Sequence, residues 1–515
     1  MRPRQKAFAM TPVIGPRAGL PYGGPHAYVG RPGGAGDATV AVTGAFEPVL
    51  IQGGMGVAVS SWRLARAVSS LGHLGVVSGT ALDVVLARRL QLGDPGGDIR
   101  RAIAQFPDPA VAQAVLARFF IPGGKADRDP FANAAMFTWR PARRLQALSA
   151  LAGFVEVFLA KEGHERPVGI NFLEKIQLPT PAILYGALLA GVDYVLVGAG
   201  IPRDIPVLLD RLVRHEPATL PLHVTGSSAT DAFALTFDPA AVVGPGARRP
   251  LRRPRFLAIV SSATLAAALA RNGGRVDGFV VEGPTAGGHN APPRGPLTLN
   301  GEGEPTYGAR DVVDLERMRD LGLPFWLAGS CATPRGLIEA QRQGAVGIQV
   351  GTLFAFCDES GVAPSVRASV LEKVRAGHAQ VHTDPVASPT GFPFKVVQVD
   401  GTLSDAAVYE ARQRRCDLGY LRELYRRADG TPGYRCPAEP VEDYLRKGGR
   451  LEDTVGRKCI CNGLLATVGL GQRRAAGPEP PIVTSGTGVL DVAAVLGDRA
   501  AYSAANVVTY LTAGS

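Results

Sequence analysis

The sequence has no apolar run near the ~18 residues that a membrane span requires. Its longest candidate, residues 258–270, is short and interrupted by Ser261, Ser262 and Thr264. The basic opening Met-Arg-Pro-Arg-Gln-Lys is not followed by an apolar core, so a secretory leader is not expected. Cysteine is scarce, six in 515 residues, which excludes a disulfide scaffold and suits a reducing, cytoplasmic setting. Charged residues are few as well, at 19% against 46% hydrophobic, and that balance excludes wholesale disorder. The 64 glycines and 41 prolines stay below the range of low-complexity chains.

The net charge of +10 is concentrated in two places. Arg2, Arg4, Lys6, Arg17 and Arg31 stand against Asp37 near the N-terminus, and residues 410–474 hold fourteen Lys or Arg against nine Asp or Glu. The remainder is close to neutral. A basic tail and a solvated basic face explain this better than a nucleic-acid footprint, and no nucleic-acid or membrane partner is expected.

Residues 1–44, rich in Gly, Pro and Ala, read as a disordered leader. From residue 45 a strand, glycine-turn, helix pattern sets in. Short apolar runs occur at 48–52, 74–78, 168–172, 194–197, 256–260, 278–281, 325–328 and 346–350, with a weaker one at 220–224. Helical spacing lies between them, as in Ser61–Leu71. Alternating strands and helices imply stacked βαβ units, and about eight strands suit a closed barrel. The fold class expected is therefore α/β, a (β/α)8 TIM barrel over residues 45–395. It carries a helical insertion at 81–166 with breaks at Asp94–Gly97 and Pro122–Gly124. A C-terminal extension at 396–472 and a flexible tail at 473–515 complete the expected organisation.

Barrel chemistry sits in the loops after the strands, and the glycine-rich turns fall there. Gln52-Gly53-Gly54-Met55-Gly56 closes the first strand. It fails as a dinucleotide fingerprint, because Val59 stands where a third glycine belongs. Glu282-Gly283-Pro284-Thr285-Ala286-Gly287-Gly288-His289 follows the strand 278–281 and places an imidazole, the side chain suited to proton transfer near neutral pH, at the barrel mouth. Ala328-Gly329-Ser330 and Gln349-Val350-Gly351-Thr352 end the last two strands, where barrels commonly hold a phosphate.

In this order QGGMG, GIN, EGPTAGGH, LAGS and GIQVGT resemble the nitronate monooxygenases, formerly 2-nitropropane dioxygenases, a family of FMN-dependent TIM-barrel flavoenzymes. The resemblance spans roughly residues 46–395, including Ser388-Pro389-Thr390-Gly391-Phe392-Pro393. It implies FMN as cofactor. Gly54, Met55 and Gly56 would lie along the flavin ring, and Asn171 would hydrogen-bond it. Gly287, Gly288 and Gly329, with Gln349, Val350, Gly351 and Thr352, would bind the phosphate. His289 would be the catalytic base. Two positions depart from the family pattern: Glu282 replaces a usual Gln, and Ser330 replaces a second Gly of the phosphate turn. The implied reaction is oxidation of an alkyl nitronate with O2 to a carbonyl compound and nitrite.

An FMN-dependent NAD(P)H enoyl reductase acting on carrier-bound acyl chains is the alternative, and the basic C-terminal face would then meet an acidic carrier protein. A non-catalytic flavin-binding sensor is a third reading, and His289 argues against it. Glu156, Lys161, Glu162, His164, Glu174 and Lys175 are further residues that could reach the site. Cys416, Cys436, Cys459 and Cys461 have the spacing C-x19-C-x22-C-x-C, poor for zinc. No metal is expected there, and buried reduced thiols are.

Overall fold

A computed structural model describes residues 47–228, 230–272 and 274–514. The expected leader at 1–44 lies outside them. Eight parallel strands close into a barrel: β1 (Leu50–Gln52), β2 (Leu74–Ser78), β3 (Val168–Leu173), β4 (Tyr194–Gly198), β5 (Arg255–Val260), β6 (Gly278–Glu282), β7 (Phe325–Ala328) and β8 (Gly347–Val350). Each pairs with its sequence neighbours, and β8 closes on β1 through Leu50↔Ile348 and Gln52↔Val350. Nearly every strand residue is buried, as expected of strands covered on both faces. Inside the barrel Ile51, Leu74, Val76, Leu196, Val280 and Trp326 pack as one cluster. Gln52, fully buried, is satisfied there: its amide donates to Ser60 Oγ at 2.8 Å and its carbonyl accepts from Val76 N at 3.1 Å.

The candidate strand 220–224 is not a barrel member. Ala218–Pro221 forms an antiparallel pair with Ala234–Phe237 outside the barrel. Its residues alternate buried and exposed, the pattern of a half-covered ribbon, and the stretch that looked irregular supplies its partner.

The segment 81–166 is helical, with Leu82–Gln91, Asp98–Ile103, Pro109–Phe119 and Arg143–Lys161. Its breaks fall at the glycine clusters read from the sequence, where Gly97, Gly123 and Gly124 take φ of 70°, 77° and 84°. Asp108 caps the third helix by accepting from Ala110 N and Val111 N, and Pro109 stands at its first position. The last helix is part of the barrel wall rather than an addition to it. A Cβ on Gly186 would sit 1.8 Å from the Ala150 carbonyl oxygen, so Arg143–Lys161 and Thr180–Leu189 touch backbone to backbone.

The boundary expected at 395 cuts through a strand: Phe394–Val397 pairs with Val381–Asp384. The extension beyond it settles over the barrel mouth. Leu418, Leu421, Ile460 and Leu464 share a core with Val57, Val84 and Phe394. Tyr420 Oη donates to Asp83 Oδ1 at 2.7 Å and ties the cap to the inserted helices.

Residues 473–515, expected as a flexible tail, are packed into the body. Ile482 and Val483 are buried, the helix Ala504–Thr512 buries Val507 and Leu511, and Tyr502 Oη donates to the Leu353 carbonyl at 2.7 Å. The apolar residues of that helix recur at helical spacing and supply the driving force. Among the described residues no helix is long and apolar enough to cross a membrane.

Candidate active site

One cavity of about 240 Å³ opens at the C-terminal ends of the barrel strands. It gathers all the site residues expected from the sequence: Gly54, Met55 and Gly56 after β1, Asn171 in β3, Glu282 at the end of β6, and Gly287, Gly288 and His289 in its loop. Gly329 and Ser330 follow β7, and Gln349, Val350, Gly351 and Thr352 close β8.

Close packing explains the glycines. A Cβ on Gly54 would stand 2.2 Å from Asn171 Cβ, so any larger residue displaces Asn171. Ser60 fixes this turn, its Oγ donating to the Gly53 carbonyl at 2.9 Å and accepting from Met55 N at 2.8 Å. A Cβ on Gly287 would meet Gly486 N at 2.8 Å. Gly288, with φ of 79°, has no protein atom within 4 Å of where its Cβ would stand.

His289 is held from two sides. Its Nε2 shares a hydrogen bond with Ser388 Oγ at 2.7 Å, and Ser388 Oγ in turn meets Thr390 Oγ1 at 2.8 Å. The Phe394 ring packs edge-on, 4.8 Å between centroids. The backbone is pinned as well, with Lys395 N donating to the Gly288 carbonyl and Asn290 N to that of Pro393. Burial, reinforced by the Lys175 charge, pushes the imidazole down to about 4, so it is neutral at neutral pH. Glu282 moves the other way: burial alone pushes its carboxyl up to about 7.

At the far wall Thr352 Oγ1 accepts from Gly486 N at 3.0 Å and Gly288 N donates to Thr484 Oγ1 at 3.0 Å. Ser485 and Gly486 line the cavity too. These three residues were missed because the segment holding them read as a tail. The signal available was Ile482-Val483 followed by Thr484-Ser485-Gly486, an apolar pair leading into the same small-residue turn as the other strand ends.

Gln349 Oε1 is buried and has no hydrogen-bond partner, an acceptor left open in the wall of the cavity. Gly329 and Ser330 have φ of 95° and 54°, two successive left-handed residues. That backbone accounts for the glycine usual at the second position. The variant Ser330→Gly is expected to stabilise the fold by ~0.5–1 kcal/mol, the side-chain strain relieved outweighing the added chain entropy. A lower urea midpoint for the variant would contradict this reading.

Of the six further candidates, five lie elsewhere. Glu156 accepts from Trp62 N at 2.7 Å and pairs with Arg89 at 3.1 Å. Lys161 pairs with Asp193, which immediately precedes β4, at the opposite end of the barrel. Glu162 pairs with Arg101 at 2.7 Å, and His164 Nε2 contacts the Ala160 carbonyl. Glu174 packs against Gly200, whose Cβ would fall 2.1 Å from its carboxylate, beside a different pocket. Lys175 alone acts on the site, through its charge on His289, with its Nζ resting 4.2 Å from the centre of the Phe392 ring.

Residues 255–383 match the model of the nitronate monooxygenase family. That segment holds Glu282, the Gly287–His289 turn and the ends of β7 and β8, while Gly54, Met55, Gly56 and Asn171 lie outside it. A probable nitronate monooxygenase of Staphylococcus haemolyticus is 32% identical over 122 residues, 24% of this chain and 33% of that protein. One from Bacillus subtilis is 30% identical over 141 residues, 27% of this chain and 38% of that protein. The matched stretch thus spans little more than a third of these curated relatives. Among solved structures, FabK from Thermotoga maritima gives a TM-score of 0.36 at 17% identity, covering 68% of this chain and 71% of that one. A nitroalkane oxidase from Streptomyces ansochromogenes gives 0.39 at 16% identity, covering 90% and 95%. The barrel assignment rests on the strand pairing itself.

Proposed function

We propose that the protein is an FMN-dependent oxidoreductase that oxidises alkyl nitronates with O2 to carbonyl compounds and nitrite. The observation that carries this reading is the placement of His289 in one cavity with the glycine turns of β1, β6, β7 and β8. The cavity suits a flavin mononucleotide on its own chemistry. Gln349 Oε1 is an acceptor in need of a donor, and Gly288 leaves open space where a side chain would stand. Gly54, Met55 and Gly56 would flank the ring, with Asn171 as its hydrogen-bond partner. The turns Gly287–Gly288, Gly329–Ser330 and Val350–Thr352 would hold the phosphate. Bound there, FMN would supply the electron chemistry, taking an electron from the nitronate and delivering it to O2.

The protein's own groups do the rest. Nε2 of His289 is engaged by Ser388, so Nδ1 is the ring atom assigned to the α-proton of a neutral nitroalkane, whose removal leaves the nitronate that is oxidised. Being neutral, the imidazole is in the form a base requires. Lys175 provides a positive field that favours an anionic substrate over a neutral one. The cap residues Tyr420, Leu421 and Leu464 roof the cavity and exclude water.

Glu282 makes the reaction sensitive to pH. Its carboxyl is neutral below about 7 and ionised above it, and an ionised Glu282 repels an anionic substrate. KM for a nitronate is therefore expected to rise as pH increases through 7, and Glu282→Gln to abolish that rise. The same group sets a stability trend: its folded-state value lies above the ordinary 4.5, so stability is full below 4.5 and is lost as pH climbs through 7. A Gln variant with an unchanged KM profile would remove Glu282 from the site chemistry.

The direct test mixes the purified protein anaerobically with propyl nitronate, and separately with NADH or NADPH, while following flavin absorbance. Flavin reduction by the nitronate, with nitrite released on admitting air, is the expected result. Reduction only by NAD(P)H, without nitrite, would overturn it in favour of the enoyl reductase. Absence of flavin, with none taken up on addition, would remove the cofactor assignment itself.

A further inference from the structure

His289 lines the cavity, but the two hydroxyls behind it, Ser388 and Thr390, do not. Ser388 is fully buried. Its Oγ lies 2.7 Å from His289 Nε2, 2.8 Å from Thr390 Oγ1 and 3.2 Å from Thr390 N. The amide only donates, so it occupies one lone pair of the hydroxyl. One lone pair and one O–H remain for two partners, and the protons fit in two ways. In the first, Nε2–H donates to Ser388 Oγ, Ser388 O–H donates to Thr390 Oγ1, and Nδ1 is bare. In the second both bonds are reversed: Thr390 donates to Ser388, Ser388 donates to a bare Nε2, and the ring proton sits on Nδ1. Passing from one to the other moves each proton along one hydrogen bond and leaves the heavy atoms in place.

The turn that carries these hydroxyls is fixed by the cap. Arg457 Nη1 donates to the carbonyls of Val386 at 2.8 Å and Ser388 at 2.5 Å, and Lys458 N donates to that of Ala387 at 2.9 Å. Asp384 Oδ1 accepts from Val386 N and Ala387 N, both at 2.9 Å. Thr390 is half-buried and Gly391 beside it is exposed. The row of hydroxyls therefore starts at the ring and ends where water reaches.

We propose that Ser388 and Thr390 form a proton relay between Nε2 of His289 and the solvent. The proposal rests on the reading of His289 as the base. The α-C–H bond of the nitroalkane breaks, its electron pair stays on the substrate, and the proton forms a bond to Nδ1. The Nε2 proton passes to Ser388, the Ser388 proton to Thr390, and the Thr390 proton to water. One proton enters and one leaves, so the buried ring carries no lasting charge. That matters because burial and the Lys175 charge disfavour the imidazolium. The relay runs backwards, resetting the ring, when Nδ1 returns its proton to an oxygen of the departing nitrite. Ser388 and Thr390 are positioning residues, acting on substrate only through His289.

The test reads the ring proton itself. In full-length protein labelled with heavy-nitrogen histidine, the His289 signal is identified in magnetic resonance spectra by its loss in His289→Ala. Its Nε2 proton is expected to exchange with water while the backbone amides of β6 stay protected. Thr390→Val keeps the side-chain shape without the hydroxyl and should slow that exchange roughly tenfold or more; Thr390→Ser should restore it. A turn merely loosened by the substitution would speed exchange, the opposite sign. On a neutral nitroalkane, Thr390→Val should lower kcat by a similar factor with KM little changed, and the loss should be smaller on the preformed nitronate. Exchange in Thr390→Val as fast as in the unaltered protein or faster, or no recovery in Thr390→Ser, would overturn the relay. Should Thr390→Val fail to fold, the unaltered protein decides alone: a ring proton as protected as the β6 amides overturns it. The exchange is read without substrate, so a protein that exchanges as expected yet oxidises no nitronate supports the relay and removes only the nitronate reading.

Discussion

Replacing His289 with Ala is expected to lower kcat on a neutral nitroalkane by roughly 10²–10⁴-fold, the usual contribution of a positioned general base. The loss should be much smaller on a preformed nitronate, which has already surrendered its α-proton. The contrast follows from the geometry. The imidazole is half-buried, held at about 4 by burial and so neutral, and oriented by Ser388 at 2.7 Å. A group of such low basicity gains its effect from position rather than from proton affinity. Steady-state rates on the two forms of one substrate, with flavin content measured alongside, check the expectation. An equal loss on both forms would make His289 a binding group and not the base. Acidification adds a second signature: His289 lies below its ordinary 6.5, so it contributes stability at neutral pH that is lost as pH falls toward 4.

The largest effect on stability is expected beneath the site. Trp326 is fully buried in the barrel interior, and its indole N–H donates to the Pro48 carbonyl at 2.6 Å. Trp326→Ala should cost about 3–5 kcal/mol, since eight hydrogen-bonded strands cannot collapse onto the space left behind. Trp326→Phe keeps most of the volume but orphans that carbonyl, and about 1–3 kcal/mol is expected. Urea unfolding followed by circular dichroism measures both. A loss below ~1 kcal/mol for the Ala variant would mean that the interior is not close-packed.

Much of the site could be read before folding because four of the eight barrel strands, β1, β6, β7 and β8, end in recognisable glycine turns. EGPTAGGH names its own chemistry, and the glycines at 54, 287 and 329 announce close approaches that the structure shows at 2.2, 2.8 and 2.8 Å. The strand at 220–224 misled because four apolar residues look alike in a barrel and in an outer hairpin; which residues face solvent is decided by the partner at 234–237. Thr484, Ser485 and Gly486 were hidden for a different reason: their roles exist only where they meet Gly288 and Thr352. The four cap cysteines show the same limit. Spacing suited to a local metal loop is absent, and only the fold of the cap assembles them.

The wall formed by Thr484–Gly486 has a consequence for the order in which the molecule is made. A chain folds as it is synthesised, N-terminal parts first. The turn at Gly54 and the His289 loop emerge long before residue 484, and the wall that Gly486 completes against Thr352 has to wait for that residue. A nascent barrel has its strands but not a finished cradle, so a ligand that needs the wall of Gly486 against Thr352 could be held only once residue 486 has left the ribosome.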